Sequence, residues 1–82
     1  MPPIKNIEIY TTASCPYCIQ AKNLLAKQNL TYQEIRVDLD PAKKEEMLER
    51  SQGRRTVPEI FINNILIGGY TELFAMHQRR EI

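Results

Sequence analysis

Cys15-Pro16-Tyr17-Cys18 is the stretch on which the reading of this chain turns. It holds both cysteines of the chain, with two residues between them. Upstream, Ile7 and Ile9 alternate with Asn6 and Glu8, which predicts a strand over Ile7–Tyr10 with one polar face. Downstream, Cys18, Ala21, Leu24 and Leu25 recur at helical spacing and predict an amphipathic helix from Pro16 to about Gln28. Pro16 suits the first helical position, because its missing N–H has no intrahelical partner there. Cys15 then becomes the N-cap, with unpaired amides and the positive end of the helix dipole beside its sulfur. Both features favour the thiolate, which is the nucleophile. Cys18, on the same face and within reach for a disulfide, is expected to be the more buried sulfur and the weaker nucleophile.

Other uses of two cysteines fit less well. A structural disulfide would close a very short loop and constrain the unfolded chain little. Zinc wants four ligands, and two Cys with one His would need an acidic residue to complete the set. No metal site is therefore expected.

Composition narrows the class. The 82 residues suffice for one small domain, taken as 1–82. A hydrophobic share of 43% and a charged share of 26% are those of an ordinary soluble protein. A net charge of +1, with basic residues only in short clusters such as Arg54-Arg55, gives no reason to expect nucleic acid or an anionic membrane as partner. No apolar run approaches the ~20 residues of a membrane span. Met1-Pro2-Pro3-Ile4-Lys5 lacks the pattern of a signal peptide, and two cysteines at redox spacing fit a reducing cytoplasm.

The remaining elements follow in order. Lys22 and Lys27 are expected to point outward from the first helix, which Asn29-Leu30 ends. A second strand is expected over about Tyr32–Val37, where Ile35 and Val37 alternate with Glu34 and Arg36. Asp40-Pro41 is a helix start, with the acid as N-cap and proline next. That helix is expected to run to Ser51 or Gln52 with Met47 and Leu48 inward, an ion pair between Glu46 and Arg50, and Gly53 as its stop. Glu59–Ile62 and Ile65–Ile67 read as short apolar strands joined by the turn Asn63-Asn64. Gly68-Gly69 breaks the second, and Thr71 is expected to cap a last helix to about Arg79 with Leu73, Phe74 and Met76 as core candidates. The order β-α-β-α-β-β-α makes the first two strands parallel and the last two an antiparallel hairpin. This is an α/β class with a four-stranded mixed sheet flanked by helices.

From Ile7 to about Arg79 the chain resembles the glutaredoxins, on three motifs in order: Cys15-Pro16-Tyr17-Cys18, Thr56-Val57-Pro58 and Gly68-Gly69-Tyr70. It is similar to the small bacterial dithiol members. The resemblance implies a thioredoxin-like fold and a monomeric, cytoplasmic, glutathione-dependent disulfide oxidoreductase with no bound cofactor. Its implied partners are glutathione and disulfide-containing or glutathionylated proteins. It makes Cys15 the attacking thiolate and Cys18 the resolving thiol. Tyr17 would flank glutathione; Pro58 would be a cis proline facing the cysteines, with Thr56 before it. Val57 would pair its backbone with the ligand. Gly69, Tyr70 and Thr71 would present amides to the γ-glutamyl carboxylate, as helix N-termini do for anions. Many relatives carry Lys where this chain has Thr12, a basic residue at Gln20, and an acidic pair where it has Thr71-Glu72. Glu72 is then the acid left for the ligand's ammonium, and Arg55, or failing that Arg54, the expected partner of the glycyl carboxylate. The alternative implied by the same resemblance is an iron–sulfur carrier with a glutathione-ligated cluster bridging two subunits, against which Pro16 speaks.

Overall fold

Alternation along the strands sets which side chains each face of the sheet presents, and the structure shows what covers the two faces. The computed structural model describes residues 6–82; Met1 to Lys5, read above for a signal peptide, lie outside the described residues. The elements are β1 (Ile7–Thr11), α1 (Pro16–Lys27), β2 (Gln33–Arg36), α2 (Pro41–Arg50), β3 (Glu59–Ile62), β4 (Ile65–Gly68) and α3 (Tyr70–Gln78). The sheet runs β2-β1-β3-β4. β1 is parallel to β2, in register Tyr10 with Ile35, and antiparallel to β3, in register Ile9 with Ile60. β3 and β4 form the expected hairpin, with Asn63 and Asn64 at φ 52° and 67°, the left-handed pair of a two-residue turn.

Ile7, Ile9, Ile60 and Ile62 pack one face of the sheet against Ala21, Leu24 and Leu25 of α1 and Leu73 of α3. Tyr10, Ile35, Val37 and Phe61 pack the other against Met47 of α2. β1 and β3 are therefore central and covered on both faces, which corrects the expectation of a polar face on β1. Glu8 lies there half-buried because Arg50 of α2 donates two hydrogen bonds to it, at 3.0 and 2.9 Å. Arg50 also donates to the Tyr10 hydroxyl at 2.8 Å and sits 4.0 Å from the centre of the Phe61 ring. This replaces the expected Glu46–Arg50 pair: Glu46 pairs with Lys43 at 3.1 Å instead. A solvent-exposed pair of that kind contributes only ~0.2–0.5 kcal/mol, less than charge-assisted bonds in a partly dry site.

The helix ends share one device. At Asn29, Gln52 and Arg80 the chain turns left-handed, at φ 57°, 59° and 61°. The next residue's N–H then returns to the carbonyl five residues back: Leu30 to Leu25, Gly53 to Leu48 and Glu81 to Met76. Two expectations for α3 are corrected. Phe74 is exposed, on the edge of the helix away from the sheet, while Leu73 is fully buried and Met76 packs against the core. The N-cap is Gly69 rather than Thr71, because Gly69 is the last extended residue and Glu72 reaches back to its N–H at 2.8 Å. Among the described residues, no helix is long and apolar enough to cross a membrane.

Candidate active site

Cys15 is held at the N-cap of α1 by the geometry its sequence dictates. Its backbone is extended, Pro16 occupies the first turn, and no acid lies in that turn to compete for the positive helix end. The Cys18 N–H donates to the Cys15 sulfur at 3.2 Å. Upstream, the Asp38 carboxylate accepts from the Ala13 N–H at 3.1 Å and fixes the loop that delivers Cys15. Arg36 holds the Asp38 carboxyl well below the usual carboxylate range. Both thiols are unbridged. Cys18 is 1% exposed, and burial, aided by the hydrogen bond with Cys15, pushes its thiol from 9.0 up to about 12. Both sulfurs are buried, but Cys18 is the more so, as the sequence reading expects, and Cys15 accepts an amide N–H at the helix end.

The Thr56-Val57-Pro58 loop faces them. The Val57–Pro58 bond is cis, and the Cys15 thiol donates to the Val57 carbonyl at 3.4 Å. Ser51, buried at the end of α2, anchors the loop by donating to the Arg54 carbonyl at 3.2 Å. Beside this contact lies an open cleft of about 240 Å3 lined by Tyr17, Thr56, Val57, Pro58, Gly69, Tyr70, Thr71 and Glu72. Every residue expected to meet glutathione is among them except Arg55 and its alternative Arg54, which are exposed and do not line the cleft. Tyr17 and Tyr70 stack with ring centres 6.2 Å apart and form one wall. The first turn of α3, which begins with Tyr70 itself, presents N–H groups that no helical carbonyl reaches. Gly68 suits the backbone there better than any residue with a Cβ. It sits at φ +123°, and a Cβ would come within 2.9 Å of the Glu72 Cγ.

Some participants carry no sequence signal of their own. Glu59, the residue after Pro58, is fully buried, and its carboxylate has no hydrogen-bond partner among the described residues. Burial raises its carboxyl above the usual range. Arg54 is shared between Glu59, at 3.5 Å, and Glu72, at 3.9 Å. Lys22, expected to point outward, is half-buried and pairs with Glu34 at 2.9 Å, and Thr11 donates to the same carboxylate at 2.7 Å. Lys27 is exposed as expected. Among the described residues no group of three or more His, Cys, Asp or Glu is placed to hold a metal ion.

The comparisons agree with this geometry. The glutaredoxin family model matches residues 7–67. Glutaredoxin 3 of Escherichia coli (strain K12) is 50% identical over 74 residues, covering 90% of this chain and 88% of its own length. Glutaredoxin 1 of Rickettsia prowazekii is 49% identical over 76 residues, covering 92% and 80%. A crystal structure of a buckwheat glutaredoxin–glutathione complex superposes with a TM-score of 0.81 at 28% identity, over 92% of this chain and 70% of that one. With the dithiol at the helix start, the cis-proline loop and the cleft between them all in place, the chain belongs to the glutaredoxin family.

Proposed function

We propose that this glutaredoxin reduces protein disulfides and glutathione mixed disulfides with Cys15 as the attacking sulfur, Cys18 as the resolving one, and glutathione bound in the cleft beside them. The observation that carries this reading is the asymmetry of the pair. Cys15 receives an N–H at 3.2 Å, and Cys18 is sealed and pushed up to about 12.

On a protein disulfide, the Cys15 thiolate attacks one sulfur, and the other leaves as a thiolate. The Cys18 sulfur then attacks Cys15, its proton passing to the departing substrate thiolate. The substrate leaves as a dithiol, and the enzyme holds a Cys15–Cys18 disulfide. One glutathione attacks Cys15 and releases Cys18; a second takes the first away as glutathione disulfide. On a glutathione mixed disulfide, Cys15 attacks the glutathione sulfur, the protein thiol leaves, and a second glutathione resolves the adduct without Cys18.

In the cleft, Val57 would pair its backbone with the cysteinyl unit, and Tyr17 and Tyr70 would flank it. The amides of Gly69, Tyr70 and Thr71 would receive the γ-glutamyl carboxylate, and Glu72 its ammonium. Arg54 is engaged by two acids, so Arg55, with no ion pair among the described residues, is the cation for the glycyl carboxylate. The protein would work as a cytoplasmic monomer over a single domain, residues 1–82. The test is a glutathione-coupled assay on both substrate classes. Cys15→Ser should abolish both activities; Cys18→Ser should keep deglutathionylation and lose most reduction of protein disulfides. Equal loss of deglutathionylation in both variants would reject the assignment.

A further inference from the structure

Outside the dithiol, the most anomalous group in the molecule is Glu59. A carboxylate with no exposure and no hydrogen bond costs stability that an apolar residue at the start of a central strand would not. Its surroundings are largely apolar. On β1 its register partner is Tyr10, whose hydroxyl is taken by Arg50 of α2. β4 contributes no charged residue. The charges that face Glu59 are Arg54, from the loop ahead of β3, and Glu72, from α3.

Arg54 is the link. Its Nε lies 3.5 Å from Glu59 Oε1 and its Nη2 lies 3.9 Å from Glu72 Oε1, so one guanidinium spans a buried acid and an acid of the cleft. Neither contact has closed to hydrogen-bond length, and the Arg54 side chain is half-exposed. The Glu72 oxygen concerned is also the one that accepts from the Gly69 N–H at 2.8 Å, at the mouth of the proposed γ-glutamyl site. We propose that Glu59 is a positioning residue: its buried charge draws Arg54 inward and so keeps Glu72 available to the ammonium group of glutathione. This rests on the reading of the cleft as the glutathione site. When Glu59 takes up a proton, nothing inside holds the guanidinium, and Arg54 closes on Glu72 and neutralises it. Binding of an ammonium-bearing ligand then weakens while the cleft keeps its shape. Burial and the nearby Glu72 charge both raise the Glu59 carboxyl, so this transition falls above the usual carboxylate range.

The probe is S-methylglutathione, which binds without reacting, followed by amide shifts of the reduced protein from pH 5 to 8. Its partner probe is the N-acetylated form, which lacks the ammonium. Glu59→Gln should weaken S-methylglutathione about two- to five-fold at pH 7.5, the scale of one exposed ion pair, and leave the N-acetyl form unchanged. Wild type should descend to the affinity of the variant on acidification, whereas the variant should show a flat profile. Adding Arg54→Gln to Glu59→Gln should restore the affinity. Should Glu59→Gln fail to fold, Arg54→Gln alone, on an exposed side chain, should bind at least as tightly as wild type and lose the same pH dependence. Equal weakening of both probes would reduce Glu59 to a structural role and overturn the proposal. So would an unchanged affinity and profile in either single variant. If wild type shows no shifts at Tyr17, Val57 and Thr71, the glutathione reading of the cleft fails, and the proposal with it.

Discussion

Removing Cys15 isolates the chemistry of the buried sulfur. In Cys15→Ser the remaining thiol is Cys18, 1% exposed and pushed from 9.0 up to about 12 chiefly by burial. At pH 7 a thiol at 9 is about one part in a hundred thiolate, and one at 12 about one part in a hundred thousand, a loss of ~1000-fold in the reactive form. The more basic thiolate is also the better nucleophile; a Brønsted slope of about 0.4–0.5 returns ~15–30-fold. The folded variant should therefore react with iodoacetamide ~30–60-fold more slowly than the same chain unfolded in urea. Part of the upward push comes from Cys15 itself and leaves with it, so about ten-fold is the floor. Steric cover slows the reaction too, but it does not change the pH profile. The folded rate should keep climbing about ten-fold per pH unit past 9, where the unfolded chain levels off. A folded profile that levels off at or below pH 9 would refute the reasoning. The same shift carries a stability consequence. The unfolded chain gives up its Cys18 proton first, so the reduced protein loses stability as pH rises from about 9 toward 12.

Further outcomes follow from the surroundings of the site. Gly68→Ala should cost ~1–2 kcal/mol for its left-handed backbone and also displace Glu72, lowering glutathione affinity. Gly53→Ala, at φ +93° with no atom within 4 Å of the added carbon, should show the backbone cost alone; equal effects on affinity would contradict the role given to Glu72. Lys22→Met should lose ~0.2–1 kcal/mol at pH 7 in urea denaturation. Hydrogen bonds from Thr11 and then Lys22 lower the Glu34 carboxyl, so its contribution is present above the unfolded value of about 4.3 and fades as pH falls through the folded one. A loss as large at pH 2 would disprove the link. Arg55→Gln should weaken glutathione binding a few-fold at low salt, and Thr12→Lys should strengthen it, with added salt eroding both effects; no change in either would leave the glycyl carboxylate with another partner.

The fold was legible because its signals are local and repeated. Proline after Cys15 and after Asp40 marks two helix starts, and Asp40 does accept from the Ala42 and Lys43 amides. Two-residue periodicity marks the strands, and Asn63-Asn64 the hairpin. The cleft was legible for a different reason: three short motifs far apart in the chain meet at one end of the sheet. What escaped were side chains whose environment is set by the other layer. Glu8 and Glu59 look like surface acids in sequence, yet β1 and β3 are central strands with helices over both faces. Arg50 has Glu46 one turn back along its own helix, and finds Glu8, Tyr10 and the Phe61 ring across the sheet. Phe74 has the helical spacing of a core residue, but α3 turns its Leu73 edge inward and leaves the Phe74 ring against Tyr70 at the surface. Lys22 and Glu34, twelve residues apart, meet because β2 lies beside β1 at the edge of the sheet.

The central claim, that Cys15 is the sulfur that carries glutathione, is tested most directly by mass spectrometry of the single-cysteine variants after incubation with glutathione disulfide at pH 7. Cys18→Ser should gain one glutathione, mapped to Cys15 and removed by added glutathione, while Cys15→Ser stays unmodified over the same time. Rapid glutathionylation of Cys18 in the Cys15→Ser variant, or none of Cys15 in Cys18→Ser, would contradict it.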